Sequence, residues 1–184
     1  AYIGELDHLG AALVVTADHG MKPKHDANGE PSVVYVQDLL DQWLGEGKAR
    51  VILPITDPYV VHHGALGSFA TAYLPAEVDT AEITEKLSNI EGILLVINKS
   101  EAVKRFDLPP DRIGDVVIIS TENMTLGTSV DRHDLEALKE PLRSHGGLTE
   151  QEVPFIVNRK IDLPEVPNLR NYDAFFYASI AANT

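Results

Sequence analysis

Ala11-Ala12-Leu13-Val14-Val15-Thr16-Ala17-Asp18-His19-Gly20-Met21 joins an apolar segment to a polar turn near the start of the chain. Its first half is a continuous apolar run, and such a run bounded by a turn signal predicts a core strand of a parallel sheet. The run stops abruptly in an acid, a histidine and a glycine. Open α/β sheets bind ligands outside the carboxyl ends of their strands, which is where Asp18 and His19 fall. A carboxylate oxygen beside an imidazole nitrogen suits a divalent cation such as zinc. The same residues also suit a plain polar turn in which Asp18 caps the next element.

Outside this stretch, the 184 residues and 44% hydrophobic content are enough for one domain with a sizeable core. No apolar run approaches a bilayer span and no secretory leader pattern opens the chain, so a soluble protein without a membrane partner is expected. The sequence has no cysteine, which excludes disulfides and thiolate metal sites. Any metal must be held by histidine and carboxylate. A formal net charge of -13 argues against nucleic acid as a partner. It leaves room for a small anionic substrate, because a bound dication reverses the local field.

Strand and helix signals alternate along the chain, the pattern of an α/β fold. Leu6, Leu9 and Gly10 read as the last turn of a helix and its glycine stop, so a preceding segment is expected. Strands are predicted at 33–36, 51–53, 69–74, 93–97, 116–119 and 153–157. Helices are predicted over 38–44, from Asp79 with Glu82 in capping-box spacing, from a Ser100 cap through Phe106, over 134–139, and over 172–182. The Lys22-Pro23-Lys24 loop reads as solvated, His25 and His133 as surface histidines, and Met21, Tyr73, Phe155 and Phe176 as packing. His62 and His63 are adjacent, so on a strand they point to opposite faces and do not chelate one ion.

His145 stands in a second loop of small residues, Ser144-His145-Gly146-Gly147, where the glycines let backbone pass close to an ion or phosphate. Taken together, Val14-Val15-Thr16-Ala17-Asp18-His19-Gly20-Met21 and Ser144-His145-Gly146-Gly147-Leu148-Thr149-Glu150 resemble the alkaline phosphatase superfamily. The resemblance is greatest to its nucleotide pyrophosphatase/phosphodiesterase branch. The stretches from Arg50 to Gly64 and from Leu108 to Asp115 are similar to the phosphonoacetate hydrolases within it.

The resemblance implies an alkaline-phosphatase-like core, with a mostly parallel sheet flanked by helices and a smaller α/β cap-like insertion. Residues 1–48 and 128–184 would form the C-terminal part of the catalytic core, and 49–127 the inserted lobe. It further implies two zinc ions, one bound by Asp18 and His19 and the other by His145. An early aspartate, a threonine nucleophile and an Asp-x-x-x-His pair would complete the site. None of these has a match here, since Asp7 and His8 are adjacent and lie on the predicted helix. The chain is therefore read as the C-terminal portion of a longer enzyme, with no catalytic nucleophile of its own, inactive alone and partnered by its upstream polypeptide.

The implied reaction is hydrolysis of the C–P bond of phosphonoacetate to acetate and phosphate, in the bacterial cytoplasm. A phosphodiesterase or phosphomonoesterase on the same site, or a non-catalytic metal-binding module, are the alternatives. Substrate-binding residues and oligomeric state, a homodimer included, are not set by the sequence.

Overall fold

The computed structural model describes residues 2–55, 66–161 and 169–183. In chain order its elements are α1 (Tyr2–His8), β1 (Val14–Val15), β2 (Lys22–Pro23), β3 (Val33–Tyr35), α2 (Val36–Leu44), β4 (Arg50–Ile52), β5 (Phe69–Tyr73), α3 (Thr80–Ser88), β6 (Ile93–Asn98), α4 (Lys99–Phe106), β7 (Val116–Ser120), β8 (Thr125–Gly127), β9 (Arg143–Ser144), β10 (Ile156–Val157) and α5 (Ala174–Ala182). They gather into two compact units, one of residues 1–20 with 151–184, the other of residues 21–150. None of the described helices is long and apolar enough to cross a membrane.

The larger unit is built on Val116-Val117-Ile118-Ile119. A strand with side chains alternating between two covered faces needs apolar residues at every position, and all of β7 is buried. Val116 and Ile118 face a cluster with Leu40 of α2 and Ile83 and Leu87 of α3. Val117 and Ile119 face a second cluster with Ala102 of α4 and Ile113. The sheet order is β4-β5-β7-β6, and every pairing in it is antiparallel.

The α/β class stands, but the expectation of a mostly parallel sheet is met by one pair among the described strands, β3 with β8. The physical reason lies in the connections. The segment from β5 crosses through α3 to β6 at the far edge, and α4 then returns to β7 between them. This inserts the last strand antiparallel to both neighbours.

Helix ends follow local chemistry. The Asp79 side chain accepts from the Ala81 N–H and caps α3, as its sequence predicts. Glu82 does not reach back in a capping box; its carboxylate pairs with Lys86 one turn later at 2.7 Å. Helix α4 is capped by Asn98 and not by Ser100, because the Asn98 side chain accepts the Glu101 N–H at 3.0 Å. Residues 134–139 form turns rather than a helix. Leu135 and Leu138 alone point inward there, and Pro141 follows, too little apolar surface to offset the cost of nucleation.

In the smaller unit, α1 ends as expected at Gly10, whose φ is +80°. The Gly10 N–H bonds Asp7 O and the Ala11 N–H bonds Leu6 O, the paired closure of a Schellman motif. The run after it differs from its reading. Only Val14–Val15 is strand, half-buried, and it pairs antiparallel with Ile156–Val157. It has a single hydrogen-bonded neighbour among the described residues, and that pairing is antiparallel. The strand predicted at 153–157 is likewise cut to two residues, Pro154 having no N–H for a ladder.

Asn158 ties this unit together: its side chain accepts the Leu13 N–H at 2.7 Å and donates to Ala11 O at 3.0 Å. Apolar surface remains in the open at Tyr2 and Ile3 on α1, at Leu9 just after it, and at Phe175 on α5. Met21 and Phe176 are exposed, against their reading as packing.

Candidate metal centre

The Asp18-His19 turn follows β1 by two residues. Asn171 holds its backbone by donating from Nδ2 to Ala17 O and Asp18 O, at 3.3 and 3.4 Å. Asp18 Oδ1 accepts the His19 N–H at 3.1 Å, while the carboxylate as a whole is 86% exposed. His19 Nδ1 lies 2.8 Å from Gly20 O. A carbonyl can only accept, so in the neutral ring Nδ1 carries the proton and Nε2 the lone pair that a metal requires.

That Nε2 is 3.6 Å from Asp18 Oδ2. Two ligands of a tetrahedral zinc, each at about 2.0–2.2 Å, stand roughly 3.4 Å apart, so the doublet fits one ion with little movement. The donor set is also the right one, a neutral imidazole with a carboxylate in a chain without thiols. Next to it, Thr16 Oγ1 is buried without a hydrogen-bond partner among the described residues.

His145 belongs to the larger unit, where its backbone is fixed on both sides. Strand β9 pairs with β2 in the register Lys22 with Ser144 and Pro23 with Arg143. Ser144 Oγ donates to Leu66 O at 2.5 Å, and His145 O accepts the Ser68 N–H at 2.8 Å. Gly146 follows with φ +101°, a conformation that glycine adopts freely. Gly147 has no room for a side chain, since a Cβ would stand 2.7 Å from Ser68 Cβ. Its N–H donates to Glu150 Oε2 at 2.8 Å.

Glu150 leads to the largest departure from the sequence reading. Lys24, expected in a solvated loop, is wholly buried, and its Nζ donates to Glu150 Oε1 at 3.0 Å and to Glu122 O at 2.6 Å. Burial pushes the Lys24 ammonium below its ordinary value, and the Glu150 hydrogen bond and charge offset only part of this. For Glu150, burial acts to raise the carboxyl. The hydrogen bonds from Thr149, Lys24 and Gly147, with the Lys24 charge, outweigh it and hold the group below the usual range. Lys22 is half-exposed and pairs with Glu122 at 2.8 Å.

One signal for this network was present. Gly147-Leu148-Thr149-Glu150 has the spacing in which an acid reaches back to the N–H three residues earlier, as in half of a capping box. His133 is also buried rather than on the surface, its Nε2 accepting the Thr128 N–H at 3.0 Å. His25 is half-buried, with Nδ1 on Asp26 O at 2.8 Å. His62 and His63 lie outside the described residues. Asp18 and His19 thus come together in one unit and His145 is presented by the other. Among the described residues no three histidines or acids already converge on one point.

No family model matches the sequence. The chain is similar to phosphonoacetate hydrolase from Sinorhizobium meliloti 1021, solved in complex with phosphonoformate and with phosphonoacetate. For each structure the identity is 71% over 98% of this chain, with a TM-score of 0.90. The chain spans 44% of the length of that enzyme. It also matches murine ectonucleotide pyrophosphatase/phosphodiesterase 5 at 21% identity, over 84% of this chain and 36% of that one, with a TM-score of 0.50. The second likeness is one of fold.

Proposed function

We propose, for a chain that belongs to the phosphonoacetate hydrolase family of the alkaline phosphatase superfamily, that Asp18, His19 and His145 are ligands of a binuclear zinc site. The enzyme carrying that site cleaves the C–P bond of phosphonoacetate. The observation that carries the reading is the 71% identity to an enzyme solved with phosphonoacetate bound. The Asp18-His19 geometry supports it independently, through a tautomer set by Gly20 O and a donor spacing suited to zinc.

When bound, the two ions would neutralise charge on the phosphoryl oxygens and lower the pKa of a coordinated hydroxyl. This chain's residues supply three ligands. The nucleophile, a threonine, and the other ligands belong in this reading to polypeptide upstream of Ala1. The exposed apolar faces of α1 and α5 support such a neighbour. Residues 49–127 are assigned to a cap-like lobe, and the site of action to the bacterial cytoplasm.

Breaking the C–P bond of phosphonoacetate leaves a carbanion whose charge must spread into the adjacent carboxylate, so cationic groups should meet that carboxylate. Lys24 cannot be one of them. It is sealed from solvent and committed to Glu150.

The test is phosphate release by the full-length protein from phosphonoacetate beside a nitrophenyl phosphodiester, with zinc content measured on the same samples. Preference for phosphonoacetate and two zinc ions per chain are expected. A wide preference for the diester would move the assignment to the phosphodiesterases, and a zinc-free active enzyme would refute the metal reading.

A further inference from the structure

A buried lysine–glutamate pair is an expensive way to hold two loops together. Desolvating both charges consumes most of what their attraction returns, and apolar residues of like volume often serve stability as well or better. The Lys24–Glu150 pair is 0% and 1% exposed at its side chains. Apart from the Lys24 bond to Glu122 O, its bonds run to the His145 loop. Glu150 Oε2 holds the N–H of Gly147, two residues after His145, and Oε1 accepts both Lys24 Nζ and Thr149 Oγ1. Lys24 in turn sits immediately after β2, the strand that pairs with Arg143–Ser144 just before His145. One end of the pair grips the chain after the histidine. The other is part of the strand that grips the chain before it.

The rest of the loop is closed around the same point. Ser68 donates its N–H to His145 O, and Ser68 Cβ fills the space where a Gly147 side chain would be. The Gly147 N–H is aimed at a carboxylate that Lys24 and Thr149 hold from its other oxygen.

We infer that Lys24 and Glu150 are positioning residues that fix the angle at which His145 is presented to a metal ion. This rests on the reading of His145 as a zinc ligand. A polar or ionic partner that orients a ligand typically contributes 10- to 100-fold in metal affinity, although it never touches the ion. The pair acts on one ion only. The Asp18-His19 doublet has its own orienting contacts, at Gly20 O and Asn171.

The experiment compares the full-length protein with the double variant Lys24→Met, Glu150→Leu, and separately with His145→Ala and with Lys24→Arg. Apo-protein is titrated with zinc in a calorimeter, and each variant is also unfolded in urea. The double variant should stay folded, its midpoint lowered by no more than the lost Gly147 N–H bond explains, yet bind one of two zinc ions about 10- to 100-fold more weakly, with the other unchanged. Lys24→Arg, which keeps the charge and a carboxylate partner, should recover part of that affinity. A double variant that binds both ions as the wild type does would overturn the inference, as would one whose zinc loss only follows a collapse in stability. If His145→Ala itself leaves zinc binding untouched, the ligand assignment fails, and the positioning role fails with it for a different, distinguishable reason.

Discussion

Replacing Gly147 by alanine should cost this protein far more than a methyl group on an exposed loop would. The added Cβ would stand 2.7 Å from Ser68 Cβ and 2.9 Å from Glu150 Oε2, where ordinary contacts begin near 3.4 Å. Ser68 cannot give way, since it is wholly buried, its N–H is bonded to His145 O, and its carbonyl accepts the Ser120 N–H at 3.0 Å. The loop must move instead, by about 0.7 Å to clear the methyl contact. That displacement stretches the 2.8 Å bond from Gly147 N–H to Glu150 toward the limit of a hydrogen bond. Overpacking of this kind costs about 1–3 kcal/mol, and a hydrogen bond to a charged acceptor contributes about 1.5–3 kcal/mol, of which part is lost. The expected destabilisation is roughly 2–4 kcal/mol.

Urea unfolding of the full-length protein measures it. Gly4→Ala serves as a control of opposite sign: nothing lies within 4 Å of a Cβ there, and alanine in a helix gains about 0.5–1 kcal/mol over glycine. A Gly147→Ala loss within about 0.5 kcal/mol of zero, the range of an ordinary surface change, would refute the packing described for the His145 loop.

Three other outcomes follow from the contacts. The Glu150 carboxyl lies below its ordinary value in the fold, so its contribution is complete above the usual glutamate pKa and is lost as pH falls through the depressed one. Stability should therefore drop below about pH 4, and Glu150→Gln should flatten that limb of a urea-midpoint profile; an unaltered limb would contradict the depressed value. Asn98→Ala should cost about 1 kcal/mol by removing the cap of α4, whereas Ser100→Ala should be close to neutral; the reverse order in thermal unfolding would return the cap to Ser100. Ile118→Ala, in the fully buried central strand, should cost about 2–5 kcal/mol, and a loss below 1 kcal/mol would show that the cluster under α3 is not the core of its unit.

What could be read from the sequence was local. Asp79 announced its helix because an N-cap is decided within three residues, and Gly10 announced the end of α1 for the same reason. Asn98 and Ser100 are both good caps, and only the backbone of Asn98, extended at ψ 164°, picks between them. The Val116–Ile119 strand was legible because both faces are covered. The Val14–Val15 strand is shorter than its apolar run and antiparallel to its described neighbour, since such a run reports what a strand could bury and not what lies beside it. Strands β2, β8 and β9 are two or three residues long and carry no periodicity to detect. Lys24 was beyond reach for a different reason. Its partner is 126 positions away, and a lysine in a Lys-Pro-Lys loop has the same local signature whether it is solvated or sealed against a glutamate. Of the candidate ligands, the Asp18-His19 doublet was visible as a pair. His145 drew notice through its glycine neighbours and the family resemblance, while the ion pair that braces its loop did not show.

The proposal that Asp18, His19 and His145 bind two neighbouring zinc ions can be checked at the metals themselves. Anomalous diffraction at the zinc edge, from crystals of the full-length protein, tests it most directly. It should give two peaks, one about 2.0–2.2 Å from Asp18 and His19 Nε2 and the other at the same distance from the His145 imidazole. A single peak, or a pair with His145 bound to neither, would contradict it.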